Sequence, residues 1–475
     1  MANSPAADQP APPLATFTHA TLLGAALSPG NATFDAARQE FSLHPPATTP
    51  TAASDAGVLV CRELRGGCIL QAQIGAVSAV AGLALRASFE PLAPAVLLLR
   101  RADGTVEVRV RRMAGGPLET REFGAPGADV LQLEQRGAEV VVSAARFGEV
   151  FTTRRFREAV FGPRMVLGLF AAGGKARFHN VRLIRPAPTG FVPYRDYIGS
   201  ELELIDATDG RRTLVHHEDD SLQAPNWTPD GAALLCNRNG RLWRFDLATR
   251  RMALVDTGDQ VKNNNDHALS FDGTLLGISS GDVSRVYTVP VGGGQPRLIT
   301  PEGPSYFHGW SPDGRYLIYT AGRGDHRGKM NLYRIPAAGG AEERLTTTDA
   351  LDDGSEYTPD GRWIYFNSTR TGRMQLWRMR PDGSAQEQLT FDDTNNWFPH
   401  IAPDGRSLVF ITYGPEIAAM DHPFYRHVYL RTLPLDGGAP RVLAYVYGGQ
   451  GSMNVNSWAP DSRRFAFVSN SAALD

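Results

Sequence analysis

A five-residue element that recurs six times in the second half of the chain restricts what this sequence can fold into. In its commonest form an aromatic residue is followed by Ser or Thr and then by Pro-Asp-Gly. The copies begin at Trp227, Leu269, Trp310, Tyr357, Ile401 and Trp458. Their aspartates are about 41 to 57 residues apart, which is the length of one four-stranded blade with loop insertions. The repeats predict a six-bladed β-propeller over residues 200–475.

The same order of strands and turns follows each copy. Residues 315–320 and 331–335, for example, alternate polar and apolar side chains as half-buried strands do, and a Gly-containing turn and a short strand come next. The Pro-Asp-Gly segment is a turn former, because Pro presets φ and Gly tolerates positive φ. Each repeat therefore predicts one blade whose first strand runs along the central axis.

The last repeat has room for only two strands before Asp475. The missing third and fourth strands are predicted upstream of the first repeat, in residues 201–206 and 212–216, which alternate in the same way. Splicing the two ends into one blade would close the ring and leave no free sheet edge. We therefore predict a closed propeller.

Residues 14–186 are predicted to form a β-sandwich of the jelly-roll type, because short apolar or alternating runs fill them without useful helical periodicity. Residues 1–13 are Ala/Pro-rich and are predicted to be a disordered tail. Residues 187–199 follow a Pro-rich stretch and are predicted to be a linker. The predicted fold class is all-β, with the sandwich preceding the propeller.

Charge and composition limit the classes of partner. The chain has 48 Lys and Arg against 50 Asp and Glu, so no overall field favours nucleic acid, and no apolar run approaches membrane-spanning length. The N-terminus lacks a basic start followed by an apolar stretch. We expect a cytoplasmic protein as written, or a periplasmic one if an export signal was removed. Three cysteines predict buried thiols, or one disulfide between Cys61 and Cys68.

Polar residues are enriched just before each repeat, where the first strand of a blade reaches one mouth of the central funnel. Four of the six blades place a His or Glu there, and the other two place amides. Convergent polar groups in a concavity are the default binding site. The predicted metal ligands are His267, His308, His400 and Gln450, because neutral imidazoles on separate rigid strands suit a transition metal. Hydrogen bonding among these groups and trapped water is the other interpretation.

Loops between the second and third strands are expected at the same mouth. They add arginines, which can grip a carboxylate through two parallel hydrogen bonds, and a further histidine. The predicted catalytic residues are His422, Glu356 and Arg323. The predicted substrate-binding residues are Asn226, Asp266, Arg370, Asn396, Trp397, Tyr447 and Asn454. Aromatic side chains in this set would stack on sugar rings, or would pack between blades.

The repeats and the Gly-Gly turns before Arg-Leu-Thr strands resemble the WD40-like (PD40) repeats of TolB-like six-bladed propellers, over about residues 200–475. Gly168 to Phe170, followed by residues 176–182, resembles the final strands of concanavalin-like or LamG-like jelly rolls found on sugar-active proteins. A mouth rich in His, Arg and amides also resembles oligogalacturonate lyases. That resemblance implies a manganese site of three His and one Gln, with Gln450 one blade away from where the lyase pattern puts its Gln.

Two functions follow from these resemblances. The first is a carbohydrate-active protein, a metal-assisted lyase in which a divalent ion such as manganese acidifies a uronate and a base removes its proton. The second is a non-catalytic propeller that binds a glycan, a peptide or an envelope protein, as TolB does. A saccharide ligand is expected in the first case, and a protein partner is compatible with the second.

Overall fold

The computed structural model describes residues 16–23, 31–46, 56–90, 92–157, 161–192, 195–324 and 329–474. Within these ranges the chain forms strands, turns and loops and contains no α-helix, which confirms the all-β prediction. The described part accordingly has no helix of the length and apolarity that crossing a membrane requires. Two compact units are present, residues 1–186 with 474–475 and residues 187–473. The predicted tail, residues 1–13, lies outside the described residues.

The first unit is built from fourteen strands, which are β1 His19–Leu23, β2 Ala32–Asp35, β3 Glu40–Leu43, β4 Gly57–Arg65, β5 Cys68–Val77, β6 Val80–Arg86, β7 Ala95–Arg101, β8 Val106–Arg111, β9 Glu119–Glu122, β10 Val130–Arg136, β11 Glu139–Ala145, β12 Thr152–Phe156, β13 Arg164–Ala172 and β14 Ala176–Ile184. They form two seven-stranded antiparallel sheets, in the orders β1-β4-β13-β6-β7-β8-β9 and β12-β11-β10-β5-β14-β3-β2. One apolar core receives alternate residues from both sheets, such as Val60 and Leu83 from one and Leu70 and Leu133 from the other. This arrangement is a β-sandwich.

The three cysteines are free, buried thiols. Cys61 lies on β4 and Cys68 on β5, which are consecutive in the chain but belong to different sheets. Cys68 packs in the core between the sheets, whereas Cys61 packs with the apolar cluster that contains Leu59 and Phe170. The disulfide between Cys61 and Cys68, one of the two alternatives that the sequence left open, does not form, because β4 and β5 do not pair as a hairpin. Burial raises the pKa of the Cys61 thiol to about 12.

The second unit is the propeller, and its strands are β15 Ser200–Asp206, β16 Arg212–Glu218, β17 Gln223–Trp227, β18 Ala233–Arg238, β19 Arg241–Asp246, β20 Arg251–Leu254, β21 Asn263–Leu269, β22 Leu275–Ser280, β23 Val286–Pro290, β24 Arg297–Leu298, β25 Ser305–Trp310, β26 Tyr316–Ala321, β27 Asn331–Pro336, β28 Glu343–Arg344, β29 Asp352–Tyr357, β30 Ile364–Ser368, β31 Gln375–Met379, β32 Glu387–Gln388, β33 Asn395–Ile401, β34 Ser407–Tyr413, β35 Arg426–Pro434, β36 Arg441–Gly448 and β37 Arg464–Asn470. Blades one to five are the consecutive four-stranded sheets from β17 to β36. Six blades are thus present, as the repeats predict.

The Pro-Asp-Gly turns are held by their aspartates. In blade three, Asp313 Oδ1 accepts hydrogen bonds from Ser311 Oγ at 2.6 Å and from the Arg315 backbone N–H at 3.0 Å. Gly314 follows with φ +69°, the left-handed conformation that glycine adopts without strain. Hydrogen bonds from Ser311 and Arg315 lower the pKa of Asp313 to about 2. The repeat therefore exists because each copy closes the same turn between the first and second strands.

The sixth blade is closed by both ends of the propeller sequence. β15 pairs antiparallel with β37 over its whole length and with β16 on its other side, and a bridge between Trp458 and Phe465 adds the innermost segment. Glu203 of β15 is completely buried and forms an ion pair with Arg212 of β16 at 2.5 Å. The predicted splice is confirmed.

A second ion pair on the splice provides a pH test. His217 Nδ1 lies 2.8 Å from Glu201 Oε1, and its Nε2 lies 3.0 Å from Asp219 Oδ1. Burial alone would lower the pKa of His217, but the hydrogen bond to Asp219 and the charge of Glu201 outweigh it and raise that pKa. A raised folded pKa means that the stabilisation is full below the unfolded pKa of about 6.5 and is lost as pH rises through the folded value.

We therefore expect His217→Gln to lower Tm at pH 5.5 and to lower it less, or not at all, at pH 8.5. The effect should be small because the side chain is 46% exposed and solvent screens the pair. Thermal melts of both proteins across this pH range are the measurement. A Tm difference that grows with pH would contradict the assignment.

Candidate functional site

Five inner strands of the propeller change register shortly before the repeat begins. β17, β21, β25, β29 and β33 each contain a register shift within the six residues that precede it. Three of these bulges place a residue at positive φ, namely Ala224 at 52°, Gly354 at 61° and Phe398 at 54°. A β-bulge re-aims side chains relative to a regular strand, and backbone strain of this kind concentrates at functional positions. The funnel mouth is therefore a candidate site on backbone grounds as well.

A group of titratable side chains meets at this mouth, and we call it the mouth cluster: Asp266, His308, Asp353 and His422. His308 Nε2 lies 2.7 Å from Asp353 Oδ1, and the Thr320 hydroxyl donates to the same oxygen at 2.8 Å. Asp353 also interacts electrostatically with His422, and His308 with Asp266. The cluster joins side chains from blades two, three, four and five.

The charges within the mouth cluster shift one another's pKa values. Burial would lower the pKa of His308, but Asp353, followed by Asp266, raises it, which favours the cationic imidazole. Burial, reinforced by the charge of Asp353 and opposed by His308, raises the pKa of Asp266 to about 6. Burial lowers the pKa of His422, with Asp353 opposing, which favours the neutral imidazole. Two carboxylates thus face one histidine whose cationic form they favour.

His422 reaches the mouth on an insertion between the second and third strands of blade five, residues 414–425, which we call the strap. Its ring meets Trp397 edge-on at 4.4 Å and Phe398 at 5.4 Å between centroids. His422 Nδ1 is buried and has no hydrogen-bond partner among the described residues. His422, a predicted catalytic residue, thus contacts Trp397, a predicted substrate-binding residue whose indole is buried rather than open to a sugar.

Gly449 holds the strap in place. The Pro423 carbonyl accepts hydrogen bonds from Tyr413 Oη at 3.3 Å and from the Gln450 backbone N–H at 3.3 Å. A Cβ on Gly449 would lie 2.1 Å from that carbonyl oxygen, and its φ of +124° disfavours any other residue. The absence of a side chain here allows the strap to approach β36.

Gly449→Ala should therefore move the strap and lower the free energy of unfolding by about 1–3 kcal/mol, as overpacking does. The tryptophan emission should change as well, since His422 would leave Trp397. Gly292→Ala is the matched control, because a Cβ there meets no atom within 4 Å and its φ is not positive. Urea melts followed by fluorescence measure both effects, and equal behaviour of the two variants would contradict the assigned role of Gly449.

Amide side chains complete the mouth. Asn454 Nδ2 donates to Gln450 Oε1 at 3.1 Å, Gln450 Nε2 donates to Asn265 Oδ1 at 3.4 Å, and Asn265 Nδ2 donates to Gln223 Oε1 at 3.2 Å. This chain of amides connects blades six, two and one and provides donors and acceptors beside the charged cluster.

Glu356 forms hydrogen bonds that join its own blade to other blades. Its Oε2 lies 2.8 Å from His400 Nδ1, and its Oε1 accepts the Ile401 backbone N–H at 3.0 Å and a hydrogen bond from Asn456 at 2.5 Å. Asn226 occupies the same blade position and accepts the Leu269 backbone N–H at 3.1 Å. In both cases the contact links one inner strand to the next, blade one to blade two and blade four to blade five. Both residues therefore have structural partners.

The predicted metal ligands have three different sets of partners. His267 is completely buried, its Nε2 lies 3.3 Å from the Leu235 carbonyl oxygen, and burial lowers its pKa to about 4. His308 pairs with Asp353, and His400 pairs with Glu356. In the described part of the chain no three or more His, Cys, Asp or Glu side chains are placed to hold a metal ion. Gln450 belongs to the chain of amide side chains, in which it contacts Asn454 and Asn265.

Both predicted arginines are engaged in ion pairs. Arg323 donates two hydrogen bonds to Glu342, at 2.6 and 2.8 Å. Arg370 donates to Asp352 at 2.8 Å, and its guanidinium lies 4.6 Å from the centroid of Trp377. Asp352 is completely buried. Releasing either arginine toward a ligand would leave a carboxylate unpaired, which is costly.

The remaining predicted binding residues have contacts inside the propeller. Tyr447 Oη accepts the Ala187 backbone N–H at 3.0 Å, so this ring anchors the linker. Asn396 is completely buried and accepts a hydrogen bond from the Thr412 hydroxyl at 2.8 Å. Tyr447 and Trp397 therefore pack inside the propeller, which was the other interpretation of the aromatic residues.

Sequence reasoning did not single out Asp353, although it is central to the mouth cluster. It lies four residues before the start of its repeat, and the residues at that position in the other blades are Gln223, Asn265, Tyr306, Trp397 and Asn454. Most of this set contributes to the mouth. Aligning the repeats at that offset would have identified Asp353 and Asn265.

Comparisons with known proteins agree with this architecture. Residues 309–427 match the PD40 family, the TolB beta propeller domain. An uncharacterized protein of Agrobacterium fabrum is 42% identical over 273 residues, which are 57% of this chain and 92% of that protein. The solved structure of a candidate TolB from Agrobacterium tumefaciens is 41% identical and has a TM-score of 0.55, covering 58% of this chain and 99% of that one.

A solved oligogalacturonate lyase in complex with manganese is also similar. It is 15% identical with a TM-score of 0.36, over 53% of this chain and 74% of that one. Identity at this level reflects the shared propeller and has no bearing on activity. The relatives at 41–42% identity match over nearly their whole length. This chain therefore belongs to the TolB-like β-propeller family.

Proposed function

We propose that this protein is a non-catalytic TolB-like propeller that binds a polypeptide segment of a partner protein at its funnel mouth. One observation favours this function over a uronate lyase. The mouth holds two carboxylates, Asp266 and Asp353, against the single positive charge that His308, 2.7 Å from Asp353, can carry. A uronate carboxylate would meet net negative charge there, whereas a lyase has to neutralise that carboxylate.

The partners of the predicted catalytic residues support the same proposal. Arg323 is paired with Glu342, and Glu356 accepts hydrogen bonds that link two blades. The amide chain from Asn454 to Gln223 offers donors and acceptors of the kind that pair with peptide groups. Sugar hydroxyls could use the same amides, so a saccharide is the competing ligand and an outcome of the test.

Panning the full-length protein against a library of random linear heptapeptides, followed by calorimetry of the selected peptides, tests the proposal. We expect peptides whose affinity falls at least tenfold in Asn454→Ala, because that substitution removes one end of the amide chain. Control titrations use Asp382→Ala, an exposed turn residue. Peptides that bind Asn454→Ala unchanged would place their site elsewhere and contradict the proposal.

The lyase alternative is tested in parallel. Purified protein is analysed for bound metal and incubated with uronide oligomers while absorbance from an unsaturated product is recorded. His308→Ala is the control for both assays. A product that requires His308, together with metal lost in that variant, would overturn the binding function in favour of catalysis.

A further inference from the structure

We infer that the group anchoring the ligand at the mouth is an organic cation, an ammonium or guanidinium, held between the carboxylates of Asp266 and Asp353. This inference rests on the proposed function and specifies its ligand, a polypeptide segment that presents a basic group. Open acceptor atoms, the local balance of charge and the engagement of nearby arginines support it independently.

Asp353 has one oxygen in use and one open. Its Oδ1 accepts from His308 and from the Thr320 hydroxyl, at 2.7 and 2.8 Å. Across the described ranges, no hydrogen bond to its Oδ2 is formed. The side chain is only 15% exposed. A carboxylate this enclosed gains most from a charged donor, because hydrogen bonds to ionised groups are about twice as strong as neutral ones.

Asp266 repeats the pattern at greater depth. It is 7% exposed, and its Oδ2 accepts from Asn264 Nδ2 at 2.6 Å. Its Oδ1 lacks a partner among the residues that the structure describes. This oxygen is not fully enclosed, so a charged donor on a ligand can reach it.

The balance of charge specifies the sign of that donor. The groups facing Asp266 are His308 and Asp353, and those facing Asp353 are His308 and His422. Glu356 also faces His308, and Asp421 faces His422. These groups are four carboxylates and two imidazoles, so a single added positive charge would bring the cluster closer to neutrality. The high pKa of Asp266, about 6, has the same cause, which is burial beside a second carboxylate.

The two arginines predicted at the mouth do not supply this charge. Arg323 and Arg370 are paired with Glu342 and Asp352. A metal ion is also a poorer fit than an organic cation, since within the described ranges no three His, Cys, Asp or Glu side chains are placed around one point. An ammonium needs only two carboxylates and a neighbouring amide oxygen to satisfy its three donors.

Calorimetry with two pentapeptides whose ends are capped, and therefore uncharged, tests the inference. Acetyl-Gly-Gly-Lys-Gly-Gly-amide and its Lys→Gln analogue are titrated into the full-length protein at pH 7.5 and low salt. We expect the Lys peptide to bind at least tenfold more tightly than the Gln peptide. Asp353→Asn and Asp266→Asn should each reduce that preference by roughly tenfold or more, because each removes one charge and keeps the shape.

Asp382→Asn is the matched control, since this exposed carboxylate lies in the turn between β31 and β32, whereas the mouth lies where the first strand of each blade begins. It should change the affinity by less than twofold. Thermal melts of all three variants establish whether each is folded. If one of the two mouth variants is unfolded, the other one still tests the inference. Equal binding of the Lys and Gln peptides, or a preference for Lys that survives both mouth substitutions, would overturn the inference.

The outcomes separate this inference from the proposed function. Heptapeptides selected by panning that lack basic residues, but that lose affinity in Asn454→Ala, would refute the cationic anchor and leave polypeptide binding intact. Failure of every peptide to bind at the mouth would refute both. Selected peptides with a conserved Lys or Arg, whose binding requires Asp353, would support both.

Discussion

Glu203→Ala is expected to lower the free energy of unfolding of the propeller by about 3–5 kcal/mol, because it leaves the buried cation of Arg212 without its carboxylate partner. Arg212 and Glu203 are joined by two hydrogen bonds, at 2.9 and 2.5 Å, and their side chains are 3% and 0% exposed. Ser469 of β37 donates to Glu203 at 2.6 Å, and Arg212 donates to the Tyr445 carbonyl oxygen at 3.0 Å. One ion pair thus connects three strands of the splice to blade five.

The control replaces both partners. Glu203→Leu combined with Arg212→Met leaves no buried charge, and such replacements are neutral or stabilising in other proteins. We expect the double variant to be more stable than Glu203→Ala by several kcal/mol, about 2–4. All seven tryptophans lie between positions 227 and 458, so tryptophan fluorescence during urea unfolding of the full chain reports on the propeller. A double variant as unstable as the single one would show that the charges themselves hold the splice.

The closure of the ring was predictable because it depends on alternation and strand count. Residues 201–206 place apolar side chains at positions 202, 204 and 205, and β15 pairs with β37 in one unbroken register from Ser200 to Asp206. A shift of one residue would turn the buried Leu202 outward, so the pattern admits one pairing. The turn residues reinforce it, since each Asp-Gly fixes where a blade's second strand begins.

The site was less predictable because its side-chain directions depend on bulges. His267 and His308 occupy the same position relative to their repeats, yet His267 faces the Leu235 carbonyl and His308 faces Asp353. The register shift in blade two spans Asn263 to His267, whereas that in blade three spans Phe307 to Gly309. Sequence spacing does not encode where a strand bulges. Residue types at the mouth could therefore be predicted, but not which of them meet.

Glu356 is the second residue whose replacement should have a large effect, and its variants distinguish a structural carboxylate from a catalytic one. It accepts the Ile401 backbone N–H and a hydrogen bond from Asn456 through Oε1, and it contacts His400 through Oε2. Glu356→Ala would leave these buried groups without an acceptor. Each costs about 1–3 kcal/mol when unsatisfied, so we expect a loss of about 2–4 kcal/mol in urea unfolding.

Glu356→Gln is the decisive comparison, because an amide keeps the acceptor that Ile401 uses and can point its Nε2 toward His400. If the role is to link blades four and five, the Gln variant should retain all but about 1 kcal/mol of the stability and bind selected peptides normally. A carboxylate that acts as a base loses its function in the same substitution whatever the stability. A stable Glu356→Gln protein that no longer bound its peptide would therefore assign the charge of Glu356 to the ligand, and the inter-blade hydrogen bonds would be the lesser part of its role.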